Sequence, residues 1–486
     1  MARSRTERAR AGEAGEGAGG GGAERGARSE RGARRSTRRR AALGIAAALA
    51  LEAFAARAED AAPRAEDSAA RAGEAASFPA DAGARAGVGA PRAGDPTLSA
   101  LAGELGERAR ALVGEDQGVH VEAEDGTVLV SQAAARPVHP ASVSKIPTTL
   151  ALLRALGPDH RFETRFAATG PLEGGVLRGD LLVEASGDPF LVDENALLVL
   201  LALREAGVSR VAGTLVARGP LLFNWKRDGA AARLRAALEG RVAPRAWDAV
   251  RAREGGSARV PGIAFARAAG DGDAAPGAPR ASTDPHAGPD PRTLLVHRSQ
   301  PLVPLVKALN GYSNNIFAPL ADAAGGLEAV QRLARESVPP ALRAEIVLGD
   351  GAGAHPANRI SPRAAVALLR ALQEELARHG QGLEAVLPVA GVDEGTLRHR
   401  LDGPGELGHV AAKTGTYGSY GACALAGAVR TASGLVYFAI LNRGVPVEPA
   451  RRRQDAFVRA LLAALPTTPF PYDRDTTPAF ARAEVH

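Results

Sequence analysis

The sequence predicts an α+β fold whose antiparallel sheet is assembled from both ends of the folded chain. Residues 118–131, "GVHVEAEDGTVLVS", alternate apolar and polar positions around Asp125-Gly126, which predicts a β-hairpin with a two-residue turn. Near the other end, "YGACALAGAVRT" and "GLVYFAILNR" predict two long strands. Helical periodicity dominates between and beyond these hairpins, so we expect helices and sheet to pack as layers.

The helices are predicted from apolar residues spaced three and four apart. In the first, leucines from Leu98 to Leu112 share one face behind Thr97 as a cap. The same spacing predicts further helices at residues 141–156, 197–206, 301–311, 325–337, 361–378 and 450–465. The segments "RGDLLVEASGDPFL" and "VSRVAGTLVARGPLLF" predict strands on either side of the helix at 197–206.

The basic charge of the chain lies in a leader. The whole chain has a net charge of +6, but residues 1–40 carry twelve Arg and five acidic residues, so the rest sums to 6 − 7 = −1. A nearly neutral folded part gives no reason to expect a nucleic-acid surface. The Arg-rich start, an apolar run at 41–51 and the small residues Ala56 and Ala58 predict a signal peptide within residues 1–58 and an exported protein of the periplasm or cell envelope.

Two stretches lack any apolar period. Residues 59–95 predict a disordered linker and 266–292 a disordered loop, while 466–486 are rich in Pro and Thr and predict a tail. No run of 18 apolar residues is present, so no integral membrane span is expected. The single cysteine, Cys423, excludes an intramolecular disulfide, and no His or Cys cluster predicts a metal or other cofactor.

Lysine is so rare that its positions carry information. The chain has four lysines among 60 Lys and Arg residues, and one lies in "HPASVSKIPTT", three residues after Ser142. At the start of a helix, positions i and i+3 share a face, so the Ser142 hydroxyl and the Lys145 amine would be neighbours. A serine nucleophile needs an adjacent base, and a buried lysine can be neutral, whereas arginine does not deprotonate. Ser142 and Lys145 are therefore candidate nucleophile and base.

Two further motifs follow in the order that serine acyl transfer requires. "GYSNNIFA" supplies Ser313 and Asn315, and "AAKTGTYG" places Lys413 in a Lys-Thr-Gly triplet on a predicted strand. Taken alone, Ser-Asn-Asn is typical of a cap or turn. By chance the three motifs would occur together in this order in roughly one chain in a thousand. Their co-occurrence indicates an active site.

On these motifs the chain resembles the serine D-alanyl-D-alanine carboxypeptidase/endopeptidase family, among the low-molecular-mass penicillin-binding proteins. "RGDLLVEASGDPFL", "LGDGAGAHPANRISPRAAVALL" and "LPVAGVDEGTLRHRL" extend the resemblance beyond the motifs. It implies a penicillin-binding/β-lactamase-like transpeptidase fold, in which N- and C-terminal helices cover an antiparallel sheet and an all-α region lies beside it. The DD-peptidase domain would comprise residues 96–166 and 293–465, interrupted by a reduced inserted subdomain at 167–292.

The resemblance also implies roles for the residues. Ser142 would attack the penultimate D-alanine of a peptidoglycan stem peptide, with Lys145 as its base. Ser313 and Lys413 would pass a proton to the departing amine, and Asn315 would bind the substrate amide and steady Lys145. The substrate's terminal carboxylate would be held by the strand residues Lys413, Thr414 and Thr416. Gly415 would let the substrate backbone approach, and the N–H groups of Ser142 and Thr416 would form the oxyanion hole. β-Lactam antibiotics would acylate Ser142.

The sequence departs from the family at a few places and leaves alternatives open. Pro147 lies inside the predicted nucleophile helix, where it removes a backbone hydrogen bond, and Ala352 stands where the family has Ser. An esterase or β-lactamase on the same scaffold is one alternative, and rapid turnover of penicillin would indicate it. A degenerate member that only binds peptidoglycan is the other, and it would show no serine acylation.

Overall fold

The computed structural model describes residues 96–255, 259–266, 290–312 and 315–486. The predicted signal peptide and linker, most of the loop predicted at 266–292, and Ser313 lie outside the described residues. The helices are α1 (Pro96–Val113), α2 (Lys145–Leu156), α3 (Asp193–Glu205), α4 (Ala230–Leu238), α5 (Pro244–Glu254), α6 (Leu302–Tyr312), α7 (Phe317–Ala323), α8 (Leu327–Glu336), α9 (Pro362–Ala377) and α10 (Val447–Ala464).

Within the described residues, the strands form two five-stranded sheets and two smaller ones. They are β1 (Gly118–Ala123), β2 (Val128–Gln132), β3 (Glu163–Ala168), β4 (Leu172–Glu173), β5 (Val176–Leu177), β6 (Leu181–Ala185), β7 (Arg210–Val211), β8 (Leu215–Arg218), β9 (Ala264–Phe265), β10 (Arg292–Arg298), β11 (Ile346–Val347), β12 (Arg359–Ile360), β13 (Val410–Tyr417), β14 (Ala422–Thr431), β15 (Gly434–Asn442) and β16 (Glu484–Val485).

The first sheet joins the two ends of the chain, as predicted. Its order is β13-β14-β15-β1-β2 with every pair antiparallel. Side chains alternate along β15: Phe438 and Ile440 enter the core under α1 and α10, whereas Ala439 and Leu441 face the core that contains α9. Because helices cover both faces, β14 and β15 are apolar over most of their length. The α+β prediction is confirmed.

The first hairpin differs from the sequence prediction in its turn. β1 and β2 are joined by a three-residue loop, since the N–H of Ala123 donates to the carbonyl of Thr127. Gly126 has φ of +90°, and the pairing shifts register beside Glu122. A three-residue loop with Gly in a positive-φ position suits such a hairpin as well as a two-residue turn does. Asp125 and Gly126 therefore mark the turn correctly but do not fix its length.

The all-α region surrounds α2. Leu150, Leu152 and Leu153 of this helix are buried in a core to which α6, α7, α8 and α9 also contribute. α2 is thus enclosed along most of its length, and the residues that precede it emerge where this region meets the edge of the first sheet. This arrangement brings the start of α2 against β13.

The inserted region has a core of its own. The second sheet has the order β16-β10-β3-β6-β8, and α3, α4 and α5 cover it with buried side chains that include Leu197, Leu234 and Trp247. The helices α4 and α5 were not predicted from the sequence, because the composition after residue 226 is rich in Arg and Ala and their few large apolar residues are all on one side. In the described part of the chain, none of the helices is both long and apolar enough to cross a bilayer.

The C-terminal segment, which the composition predicts to be a tail, folds back onto both the all-α region, through Phe470, and the inserted region, through Phe480. Phe470 and Phe480 are buried, and β16 pairs with β10 through Glu484 and Val485. This packing was not predicted from the sequence, because two aromatic residues so far apart among prolines form no periodic pattern. The segment nevertheless closes the edge of the second sheet.

Candidate active site

The segment that carries Ser142 enters the site through a tight turn. Ala141 has φ of +47°, a conformation that non-glycine residues rarely adopt, and residues Ala141–Ser144 form a 3-10 helix before α2 begins at Lys145. The sequence predicted one α-helix over 141–156. The change of helix type at Lys145 places Pro147 in the first turn of α2, where a missing N–H is tolerated.

Ser142 and Lys145 meet directly. The amine Nζ of Lys145 lies 2.8 Å from Oγ of Ser142, and the Lys145 side chain is completely buried. Burial lowers the pKa of Lys145 from 10.5 to about 7, against the opposing effect of the nearby Asp350 carboxylate. Ser144 is wholly buried, and its hydroxyl has no hydrogen-bond partner among the described residues, so none of them is placed to activate it as a nucleophile. The expected serine–lysine pair is present.

A loop from the far side of the all-α region supplies the second contact of Lys145. Nζ donates to the carbonyl of Ala352 over 2.5 Å. The carboxylate of Asp350 shapes this loop by accepting the N–H groups of Gly353 at 2.6 Å and Ala354 at 3.0 Å. Gly353 has φ of +87°, and a Cβ there would overlap the carbonyl of Ala141. The loop therefore packs on the backbone of the nucleophile segment and fixes the amine.

Lys413 approaches the same place from β13. Its side chain is fully buried, and Nζ donates to the carbonyl of Thr414 over 2.9 Å. Burial lowers the pKa of Lys413 well below its usual value, and the positive charge of Lys145 lowers it further. Because each ammonium disfavours the other, a proton gained by one amine makes the other release its own more readily. This coupling suits a site that moves protons.

β13 presents an open edge of the first sheet. Its first half is covered, since the N–H of Ala412 donates to Pro388 and the N–H of Ala390 donates to Val410. Backbone groups alternate sides along an antiparallel strand, so the N–H and C=O of Thr414 and Thr416 point to the same edge, beyond the covered part. This geometry leaves Thr416 available as an oxyanion donor.

Gly415 lies where β13 comes close to the nucleophile segment. A Cβ at this position would lie 2.8 Å from the carbonyl oxygen of Pro140 and 3.0 Å from the amide nitrogen of Ser142. This contact requires glycine, and the expected approach of a substrate backbone at Gly415 stays a prediction. The Thr414 hydroxyl donates to the hydroxyl of Thr396 at 2.7 Å. Thr396 was not predicted from the sequence to belong to the site.

The second motif is only partly described. Ser313 lies outside the described residues. Asn315 is exposed, and its backbone carbonyl accepts the N–H of Ala318 at 3.0 Å. Among the described residues, the Ser142 hydroxyl and the Ala352 carbonyl hydrogen-bond to the Lys145 amine, and the expected steadying of Lys145 by Asn315 stays a prediction.

Comparison with known proteins agrees with this geometry. The model of the D-Ala-D-Ala carboxypeptidase 3 (S13) family matches residues 101–221 and 280–464. The chain belongs to this family. The family match includes all three motifs and both strands of the C-terminal hairpin, and it ends at the last residue of α10.

Individual relatives of this S13 chain are more distant. A D-alanyl-D-alanine carboxypeptidase of Haemophilus influenzae is 34% identical over 76 residues, which is 16% of each chain. The penicillin G-acylated predatory endopeptidase of Bdellovibrio bacteriovorus, bound to an immunity protein, has a TM-score of 0.61 at 21% identity, over 76% of this chain and 99% of that one. Penicillin-binding protein 4 of H. influenzae gives 0.54 at 18% identity, over 74% and 99%. These structures share the fold.

Several residues of the S13 site were missed or undervalued in the sequence. The Ala352 carbonyl and the Asp350 carboxylate lie in "GDGAGAH", whose glycines and aspartate are the only local signal of a tight loop. Thr396 and Arg451, which contact the hydroxyls of Thr414 and Thr416, gave no signal, because single polar residues in unremarkable surroundings carry none.

Proposed function

We propose that this chain is an exported serine-type D-Ala-D-Ala carboxypeptidase, endopeptidase or both, which hydrolyses peptidoglycan stem peptides through an acyl-enzyme on Ser142. The observation that carries the proposal is the 2.8 Å contact between Ser142 Oγ and a fully buried Lys145 amine whose pKa is about 7. Near neutral pH a large fraction of that amine is unprotonated and can accept the serine proton. A surface lysine would be unable to do so.

Acylation would begin with transfer of the Ser142 hydroxyl proton to Lys145 Nζ as Oγ bonds to the carbonyl carbon of the penultimate D-alanine. The carbonyl oxygen becomes an oxyanion, which the N–H groups of Ser142 and Thr416 would stabilise. The C–N bond then breaks, and the departing amine takes a proton. Lys413 would be its source, with Ser313 as the relay, because protonation of Lys145 lowers the pKa of Lys413. The product is an ester of Ser142.

Deacylation would reverse the roles. Lys145, protonated during acylation, would first return its proton to Lys413 through Ser313, so that both amines regain their starting states. Water then adds to the ester carbonyl while Lys145 accepts a proton from it, and this proton passes to Oγ as the C–O bond breaks. The free D-alanyl carboxylate is released and Ser142 is restored. Carboxypeptidase and endopeptidase action share these steps and differ in the amine that departs.

The substrate would lie along the open edge of β13. An extended peptide can add as a strand there, with main-chain hydrogen bonds to Thr416 and its terminal carboxylate at the hydroxyls of Thr414 and Thr416. Asn315, the exposed asparagine of the second motif, would bind the substrate amide. Similarity to a D-alanyl-D-alanine carboxypeptidase and to a peptidoglycan endopeptidase that penicillin G acylates supports this substrate class and β-lactams as acylating inhibitors.

The location proposed is the periplasm or cell envelope. Its support is the Arg-rich leader with an apolar run in residues 1–58, followed by the linker predicted at 59–95, together with a substrate class that lies outside the cytoplasm. No nucleic-acid partner is proposed.

The experiment offers the purified chain two substrates: a stem pentapeptide ending in D-Ala-D-Ala and a cross-linked muropeptide dimer. Free D-alanine from the first indicates carboxypeptidase action, and monomers from the second indicate endopeptidase action. Ser142→Ala is expected to abolish both, whereas the matched Ser144→Ala variant keeps them because the buried Ser144 hydroxyl has no hydrogen-bond partner in the part of the chain that the structure describes. Lys145→Arg is expected to be inactive because guanidinium does not deprotonate. Equal activity of Ser142→Ala and wild type would refute the proposal.

The alternatives are separated by the same protein. Penicillin that is hydrolysed with rapid turnover at Ser142 would indicate a β-lactamase instead. A folded wild-type chain that is not acylated at all would indicate a peptidoglycan-binding protein without catalysis.

A further inference from the structure

An arginine of the terminal helix contacts the reactive strand. Nη2 of Arg451, on α10, donates to the hydroxyl oxygen of Thr416 over 3.0 Å. Thr416 is exposed near the end of β13, and the Arg451 side chain is 40% exposed. The guanidinium therefore lies on the surface beside one of the two hydroxyls proposed to hold the substrate carboxylate.

The position of Arg451 is fixed by its helix. One turn further along α10, Gln454 donates to Cys423 at 3.4 Å and to Asn442 at 2.9 Å. Cys423 is the residue of β14 directly opposite Thr416. Positions 451 and 454 are three apart and share a face. The contacts of Gln454 thus hold that face against the strand ends and aim Arg451 at Thr416.

The lysines of the site are poorly suited to attract an anion. Lys145 and Lys413 are completely buried, and burial lowers the pKa of both. An amine that must lose and regain a proton during each turnover cannot also supply a constant positive charge. A guanidinium stays protonated throughout and can form two parallel hydrogen bonds to a carboxylate.

We propose that Arg451 binds the terminal carboxylate of the acyl donor, together with the Thr416 hydroxyl, and so selects substrates whose leaving group carries a negative charge. This inference rests on the proposed function. It adds a specificity-determining residue that lies outside the three motifs and on a different element from all of them.

Glu448 sets the strength of this selection. Its carboxylate accepts Nη1 of Arg451 at 2.6 Å and is 67% exposed. The ion pair of Arg451 and Glu448 has almost no net charge, so an incoming carboxylate competes with Glu448 for the guanidinium. Removing the Glu448 charge should therefore strengthen the preference for anionic donors, whereas removing Arg451 should abolish it.

The test compares two thioester donors, N-acyl-D-alanyl-thioglycolate and its methyl ester, whose leaving groups differ in charge and by one methyl group. The readout is the ratio of their kcat/KM values from thiol release. For a partly exposed guanidinium–carboxylate contact, Arg451→Gln should lower kcat/KM for the anionic donor about ten-fold and for the ester less than about two-fold. Arg453→Gln, an exposed arginine of the same helix, is the matched control and should change neither.

The outcomes separate the two proposals. If wild type fails to form an acyl-enzyme on Ser142 with either donor, the proposed function is wrong. If Ser142 is acylated but Arg451→Gln lowers both donors equally, or neither, the role of Arg451 is wrong and the function stands. Glu448→Gln provides an independent variant, and its readout is kcat/KM for the anionic donor divided by kcat/KM for the methyl ester. A quotient above that of wild type supports the inference, and an unchanged or lower quotient contradicts it.

Discussion

The depressed pKa of Lys145 makes a thermodynamic prediction that does not depend on catalysis. Lys145→Met removes a group whose pKa falls from 10.5 in the unfolded chain to about 7 in the fold. Between these values the unfolded state binds more protons, so the free energy of unfolding of wild type rises with pH. Below pH 7 the full penalty applies, which is about 5 kcal/mol for 3.5 pKa units at about 1.4 kcal/mol each.

This penalty shrinks to about 2 kcal/mol at pH 9, because there the lysine of the unfolded chain is partly neutral as well. The Met variant carries no such penalty. Its advantage in unfolding free energy over wild type should therefore fall by about 3 kcal/mol from pH 6 to pH 9. Lost hydrogen bonds to Ser142 and Ala352 offset the advantage equally at every pH, so they cancel in this difference.

The assay is urea unfolding of wild type and variant at the two pH values. Lys226→Met, which removes an exposed lysine, is the control and should show no pH-dependent difference from wild type. A gap between Lys145→Met and wild type that is the same at pH 6 and pH 9 would refute the reasoning, because it would mean that Lys145 has an ordinary pKa in the fold.

Three further predictions concern the reaction. The rate of penicillin acylation should rise with pH through about 7 as Lys145 loses its proton, and at pH 5 it should be about 100-fold below its plateau; a flat profile would contradict a lysine base. Asp350→Asn should move that midpoint to lower pH, since the Asp350 charge raises the pKa of Lys145, and a shift upward would count against it. Gly415→Ala should slow acylation and lower the unfolding free energy by about 1–3 kcal/mol, because its Cβ would press on Pro140 and Ser142; wild-type rates would show that β13 and the nucleophile segment need not touch.

The sheet was predictable because its strands carry strong local signals. β14 and β15 are long and apolar on both faces, since helices cover the sheet on each side. The serine–lysine pair was also predictable, although the sequence assumed an α-helix. In the observed 3-10 helix, residues three apart are even more nearly aligned, so Ser142 and Lys145 meet for the same reason.

The parts that escaped prediction depend on contacts between distant residues. The Ala352 carbonyl is 207 positions from Lys145 in the sequence, and any residue can supply a carbonyl, so its identity carries no signal. Arg451 resembles its neighbours Arg452 and Arg453, and only the packing of α10 distinguishes it. The C-terminal segment relies on Phe470 and Phe480, too far apart to form a periodic pattern.

The central claim, that Ser142 forms an acyl-enzyme with Lys145 as its base, is tested most directly by labelling with penicillin. The folded chain is incubated with a labelled penicillin, digested and mapped by mass spectrometry. We expect one penicilloyl adduct, located on Ser142, and none on Lys145→Arg under the same conditions. An adduct on Ser144 or another residue, no adduct on folded wild type, or full labelling of the arginine variant would contradict the claim.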